Sequence, residues 1–256
     1  MKISKVNIIG VGNVGKQLIS QLSLKNVVKN VFIRNPKKIE EFNATISLPV
    51  FTDIHLLPHD IDLNIVCVKD DAIKEVIAKL PKNIPIVHTS GSTDLEVFKD
   101  FDNYGILYPL QTFSFNHPIN LSEVYFLIEA NSALFKNEII NFCQSNFSKN
   151  IFESDSESRA QIHLAAVFAN NFSNNLLASS QKILAEKNID FKILEPLIIE
   201  TIRKAFSIGP IEAQTGPAVR GDNKIIEKQL NLLKDENLKE IYKLISKNIQ
   251  RYSSKV

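Results

Sequence analysis

Residues 6–15 read Val-Asn-Ile-Ile-Gly-Val-Gly-Asn-Val-Gly, an apolar run that ends in glycines at 10, 12 and 15 and passes straight into an amphipathic run from Lys16 to Leu24. Three of the eight glycines in the chain fall in this one turn. The spacing predicts a strand, a tight turn and a helix. Gly10 lets the chain turn out of the strand, and Gly12 lets a pyrophosphate approach the backbone. Gly15 lets the helix pack closely on the strand, so that the N–H groups around Asn13, Val14 and Gly15 face a phosphate. The ligand class expected from this context is a dinucleotide; an ordinary strand-turn-helix that uses glycine is the alternative.

The next apolar run, Val31-Phe32-Ile33, ends at Arg34-Asn35-Pro36-Lys37-Lys38. In a βαβ unit this position meets the adenosine ribose. A carboxylate there accepts from a 2′-OH, whereas an arginine accommodates a 2′-phosphate. Arg34, followed by Asn35 and with no carboxylate before Glu40, favours NADP over NAD, with a bidentate guanidinium–phosphate contact as the reason. Lys37 and Lys38 also read as a solvated basic turn. Val68, at the end of the strand expected over 63–68, is the remaining expected cofactor contact.

Bulk properties narrow the function classes. The 256 residues suffice for one large or two smaller domains, and a net charge of +2 gives no electrostatic case for nucleic acid or an anionic membrane. No apolar stretch approaches the roughly 18 residues that span a bilayer, and no secretory pattern opens the chain. Cys67 and Cys143 both lie in apolar runs, which predicts buried thiols in a reducing, cytoplasmic setting and no metal site.

Short apolar strands expected at 6–10, 31–33, 63–68, 84–88, 105–108, 124–128 and 151–152 alternate with helices expected at 14–24, 71–79 and 133–147. The fold class is therefore α/β, with a Rossmann-like, doubly wound, mostly parallel sheet over 1–153 and an all-α domain over 154–256. Ser154 and Glu157 stand at capping-box spacing, opening a long helix expected to reach about Lys187. Further helices are expected over 190–208, 223–234 and 236–252.

Three constellations lie outside the glycine turn. His88-Thr89-Ser90-Gly91-Ser92 follows a strand end, where open sheets bind ligands, so His88 and Ser90 are candidate substrate contacts; a Ser/Gly turn with a helix cap is the plainer reading. On the long helix, His163, Asn170 and Asn174 fall at i, i+7 and i+11, within about 40° of one line, with Arg159 near it. A polar line on so apolar a helix faces solvent or a polar cleft. His163 is the candidate acid–base group and Asn170 its companion. Finally, residues 209–222 form a loop longer than packing needs, from which Thr215 and Arg220 offer a hydroxyl and a cation to an anionic substrate or a dimer contact. The plainer reading is that Arg220 and Asp222 only cap the flanking helices and pair with each other.

Together, Gly-Val-Gly-Asn-Val-Gly, His-Thr-Ser-Gly-Ser, Tyr-Pro-Leu-Gln-Thr-Phe-Ser (108–114), His-Leu-Ala-Ala-Val-Phe-Ala-Asn-Asn (163–171) and Thr-Gly-Pro-Ala-Val-Arg-Gly-Asp (215–222) resemble the Rossmann-like proteins with a C-terminal domain of unknown function, number 2520. More distantly the chain is similar to the superfamily of 6-phosphogluconate and 3-hydroxyisobutyrate dehydrogenases and pyrroline-5-carboxylate reductase. The resemblance implies an NAD(P)-dependent oxidoreductase acting on a small molecule between its two domains, and a homodimer formed through the helical domain. It brings no substrate with it. The hydroxyacid dehydrogenases carry a lysine one helical turn before an asparagine. Here the corresponding positions are Ala166 and Val167, which leaves His163 as the nearest ionisable group. A non-catalytic NADP(H)-binding sensor or scaffold is the rival class, and a deazaflavin is the rival cofactor.

Overall fold

The computed structural model describes residues 2–39, 47–114 and 117–253. The chain divides into two compact units, Met1–Phe168 and Ala169–Val256.

Among the described residues, the first unit is built on an eight-stranded sheet: β1 (Val6–Ile9), β2 (Val28–Phe32), β3 (Val50–Phe51), β4 (Leu63–Val66), β5 (Ile86–His88), β6 (Tyr104–Pro109), β7 (Phe126–Ala130) and β8 (Ile151–Glu153). The strand order is β3-β2-β1-β4-β5-β6-β7-β8, parallel apart from the antiparallel β6–β7 pair. Successive residues on a strand face opposite sides, and each side has its own core. Ile8, Ile65, Val87 and Leu107 pack with Leu18 and Leu22 of α1 (Asn13–Ser23) and with Phe135 and Ile139 of α3 (Ala133–Asn146). Ile9, Val66 and Ile86 pack on the other side with Ile73 and Ile77 of α2 (Asp70–Ile77) and with Phe98. The strand order reverses between β1 and β4, with β2 and β3 added on one side and β5 onward on the other, so the crevice of an open sheet falls beside the glycine turn.

Three asparagines pin the central register. Asn7, Asn30 and Asn64 are buried side by side on β1, β2 and β4. Asn30 Nδ2 donates to Asn7 Oδ1 at 2.9 Å, while Asn7 Nδ2 donates to Asn64 Oδ1 at 3.2 Å and to the Pro58 carbonyl at 3.1 Å. A one-residue slip of any of these strands would bury amides without partners, at about 1–3 kcal/mol each.

The α/β architecture and the parallel sheet match the sequence expectation, with local corrections. β2 starts at Val28 rather than 31, because Asn30, which breaks the apolar run, is paired inside the sheet. The two-residue β3 was not expected, and β7 lies two residues later than 124–128. The capping box that opens α4 (Ser156–Ala166) is Asp155 with Ser158 instead of Ser154 with Glu157. The Asp155 carboxylate accepts from Ser158 N–H at 2.7 Å, and Ser158 Oγ accepts from Asp155 N–H at 3.1 Å.

The expected single helix to Lys187 is interrupted. A π-helical segment, Val167–Phe172, follows α4 and leads into α5 (Ser173–Ala185). Its wider turn breaks the 3.6-residue count on which the alignment of His163 with Asn170 and Asn174 rested. The second unit continues with α6 (Glu195–Ile208), α7 (Asn223–Leu232) and α8 (Glu236–Ser253). Among its described residues, Ala218 is the one buried apolar side chain, while Ile193, Leu197, Ile202, Phe206, Leu232 and Leu244 are exposed. No helix among the described residues is long and apolar enough to cross a membrane.

Candidate active site

The glycine turn is held by contact as well as by conformation. Gly10 has φ +104°, and a Cβ there would lie 2.9 Å from both the Cys67 carbonyl oxygen and Val68 Cγ1. A Cβ on Gly15 would lie 2.2 Å from the Gly10 carbonyl oxygen. Gly12 differs: nothing comes closer to its Cβ position than the Cys67 carbonyl oxygen at 3.8 Å. It is the N-cap of the 11-residue α1, with no capping side chain and no acidic residue in the first turn. The first-turn N–H groups of α1 therefore open on a space that only glycine leaves vacant, an arrangement suited to a pyrophosphate. Asn13 also lines this space, and its Nδ2 donates to the Phe113 carbonyl at 2.9 Å, which ties down the loop after β6.

This turn forms one wall of a cleft of about 800 Å³ whose lining includes Gly12, Val14, Arg34, Val68, Asp70 and Ser90. Arg34 is 72% exposed and lies 3.9 Å from Glu75 Oε2, a loose surface pair that costs little to exchange for a phosphate. Glu75 is bound more closely by Lys79, at 2.9 Å. That hydrogen bond and charge, aided by Arg34, hold the Glu75 carboxyl below its usual range. Asn35 shapes the turn beneath Arg34: its Oδ1 accepts from Lys37 N–H at 3.1 Å, starting the short turn Pro36–Lys38. These residues fit a dinucleotide phosphate chain at one end and a 2′-phosphate at the other.

At the β5 end the structure separates His88 from Ser90. His88 is fully buried against Phe98, with ring centroids 5.3 Å apart, and its Nδ1 accepts from Ser90 N–H at 3.1 Å. It shapes the loop from within the core and does not face the cleft. Ser90 lines the cleft, and its Oγ accepts from Ser92 N–H at 3.2 Å and Thr93 N–H at 3.0 Å. Ser92 Oγ in turn donates to Asp70.

Burial, and after it the positive charge of Arg159, push the His88 pKa down to about 4. The folded protein thus resists protonation that the unfolded chain accepts below an ordinary pKa of about 6.5. Stability is expected to be full above pH 6.5 and to fall by about 3 kcal/mol as pH drops through 4, where the loss levels off. His88→Asn, which keeps an acceptor near Ser90 N–H but does not titrate, is expected to flatten that limb in urea unfolding measured across this pH range.

Gly91 follows in the same loop, and against it sits a pair of rings. Tyr108 Oη and His163 Nδ1 are 2.9 Å apart, with ring centroids at 5.7 Å and planes at 73°. Both side chains are half-buried. Burial, and then the Asp70 charge, raise the Tyr108 pKa, so the phenol stays protonated at neutral pH.

Arg159, one turn before His163, explains why α4 lies here. It is buried, pairs through Nη1 with Glu129, and donates through Nη2 to the Thr93 carbonyl at 2.6 Å and to Ser156 Oγ at 3.1 Å. Ser156 Oγ also donates to Glu129 and accepts from Leu95 N–H at 3.2 Å. The expected line of polar residues on this helix therefore contains a buried anchor (Arg159) and a ring held on Gly91 (His163).

Asn170, Thr215 and Arg220 belong to the second unit and are exposed. Asn170 Nδ2 donates to Asn171 Oδ1 at 3.0 Å. Asp222 caps α7 by accepting from Ile225 N–H at 3.2 Å, which is the Asp222 part of the plainer reading of that loop.

The comparisons agree with this geometry. Residues 5–88 match the family model for NADP oxidoreductase, coenzyme F420-dependent, and residues 124–249 match that for the domain of unknown function 2520. No curated protein sequence matches the chain. A Bacteroides fragilis protein designated an NADP oxidoreductase is 31% identical over 97% of this chain and 98% of its own, with a TM-score of 0.89. Two structures share the fold at lower identity. A reductive aminase from Aspergillus terreus, solved with NADPH and ethyl levulinate, has TM-score 0.75 and 14% identity over 99% and 98% of the two chains. A 1-pyrroline-5-carboxylate reductase from Streptococcus pyogenes has TM-score 0.65 and 14% identity over 96% and 98%. With both family models matched in order along the chain and a 31% identical relative covered over nearly its whole length, the chain belongs to the family that joins an NADP oxidoreductase domain to the domain of unknown function 2520.

Proposed function

We propose that this protein is an NADP-dependent oxidoreductase acting on a small carbonyl, imine or hydroxy compound. The observation that carries the reading is the cleft itself. An uncapped helix N-terminus lies behind Gly10 and Gly15, which cannot bear a Cβ, with Arg34 on the same lining and no carboxylate in the sequence over residues 34–39. Gly12 and Gly15 hold the diphosphate on backbone N–H groups, Gly10, whose own N–H donates to the Phe32 carbonyl, turns the chain to bring them there, Val14 and Val68 wall it, and Arg34, set by the Asn35 turn, takes the 2′-phosphate. A bound nicotinamide supplies the hydride. Ser90 orients the substrate, and His163 holds the proton that the reduced heteroatom needs.

A second copy of the chain is the expected partner, covering apolar side chains of the helical unit such as Phe206, which is 91% exposed. The two buried free thiols, Cys67 and Cys143, suit a reducing compartment and support a cytoplasmic location.

The reading is tested by NADPH oxidation with a panel of small keto acids, aldehydes and cyclic imines. Turnover by the wild type supports it. Tight NADPH binding with no turnover favours the non-catalytic sensor, which the residues at 166 and 167, alanine and valine in place of lysine, would suit. Preferential binding of a deazaflavin would replace the cofactor.

A further inference from the structure

His163 Nδ1 is already taken. It lies 2.9 Å from Tyr108 Oη, so a proton held there reaches a substrate only through the phenolic oxygen. Gly91 shows how tightly this pair is fitted. A Cβ at Gly91 would stand 2.6 Å from His163 Nδ1 and 2.8 Å from Tyr108 Cζ, yet Gly91 has no positive φ that would by itself call for glycine. The position is glycine for want of space, and the space is filled by two proton-bearing rings. Ser90, the preceding residue, lines the nucleotide cleft, as does Asp70, whose charge reaches Tyr108. The pair thus packs on Gly91, one residue beyond the cleft-lining Ser90, where β5 and β6 terminate.

We infer that Tyr108 is a catalytic acid, giving its Oη proton to the oxygen or nitrogen of the carbonyl or imine being reduced, with His163 as the relay that restores it. This rests on the oxidoreductase reading above. As the carbon gains hydride, the π electron pair moves to the heteroatom and takes the phenolic proton. The Oη–H bond breaks, and the proton on Nδ1 of imidazolium moves to Oη. His163, now neutral, regains one proton from solvent. The sum is one hydride and one proton added across the double bond; in the oxidative direction every transfer reverses.

The charged groups around the pair are Asp70 and, one turn back on α4, Arg159 with its partner Glu129. Asp70 keeps the phenol protonated, and Arg159 is neutralised in the core. Neither competes with Tyr108 for the substrate proton, and the Asp70 carboxylate is engaged by Ser92 Oγ.

The test compares wild type, Tyr108→Phe, His163→Gln and Gly91→Ala, with two readouts. The first is NADPH oxidation with the same panel, alongside NADPH affinity by fluorescence. Tyr108→Phe is expected to lower turnover about 100-fold, within the usual reach of a general acid, with NADPH affinity within about twofold of wild type. Gly91→Ala, which presses on both rings, is expected to do the same. The second is a near-ultraviolet titration of the cofactor-free protein. The difference between wild type and Tyr108→Phe isolates the Tyr108 phenol, whose midpoint is expected to move in His163→Gln.

Wild-type turnover undiminished in Tyr108→Phe overturns the inference and leaves the oxidoreductase reading standing. An inactive wild type that binds NADPH overturns the reading and the inference with it. A Tyr108 midpoint indifferent to His163→Gln overturns the relay whatever the turnover.

Discussion

Arg159→Ala is expected to cost the first unit about 3–5 kcal/mol, because it removes one partner of a buried ion pair and leaves the other behind. The Arg159 side chain is 1% exposed and that of Glu129 13%, so the stranded carboxylate keeps little access to water and only the Ser156 hydroxyl as a donor. The Thr93 carbonyl and Ser156 Oγ lose a donor in the same step. In a unit of this size the change corresponds to a melting point lower by roughly 6–20 °C. The double variant Arg159→Met, Glu129→Leu is expected to recover most of that loss, since an apolar pair of similar volume carries no desolvation penalty. It would not restore the bond to Thr93, and it should leave His163 less firmly held over Gly91. Urea unfolding of the three proteins checks the first statement, and the Tyr108 midpoint in the double variant checks the second.

Gly15→Ala is the second large effect. In an ordinary helix alanine is favoured over glycine by about 1 kcal/mol. Here the added methyl carbon would lie 2.2 Å from the Gly10 carbonyl oxygen and 3.2 Å from Cys67 Cβ, and the first of these is backbone that cannot swing aside. The turn must move, at a cost of about 1–3 kcal/mol, and the phosphate cradle moves with it. NADPH affinity is expected to fall by at least about 100-fold, equivalent to about 2.7 kcal/mol. Gly12→Ala separates the two consequences. Its methyl group meets nothing closer than 3.8 Å in the protein but projects where the pyrophosphate would approach, so binding should be lost with stability nearly unchanged. Calorimetric titration with NADPH and thermal unfolding, run on both variants, distinguish these outcomes.

The glycine turn and the strand ahead of Arg34 were legible because their signals are local. Gly10, Gly12 and Gly15 lie within one turn, and Arg34 follows its strand directly. The strands read well where no more than one polar residue breaks the apolar run, as in Leu63–Val66. They were missed where tertiary pairing replaces hydrophobicity, as with Asn30 inside β2, or where two residues suffice, as in β3.

The rest of the site depends on contacts between distant residues. His88 looks like a ligand-facing residue at a strand end, but its pleat turns it inward onto Phe98. Arg159 reads as one more polar residue on a helix until Glu129, 30 positions earlier, is seen against it. Tyr108 and His163, 55 positions apart, carry no shared motif; the one local hint was Gly91, a glycine in a loop that does not need its φ. The π segment at 167–172 has no simple sequence signature, and it changes the angular argument that grouped His163 with Asn170.

The most direct measurement is the affinity of wild type and Arg34→Ala for NADPH and for NADH by titration calorimetry in the same buffer. A 2′-phosphate held by a guanidinium should give the wild type at least about a tenfold preference for NADPH. Arg34→Ala should bring the two affinities together by weakening NADPH alone, with NADH within about twofold of its wild-type value. Equal affinities in the wild type, or a loss in Arg34→Ala shared equally by both nucleotides, would contradict the account.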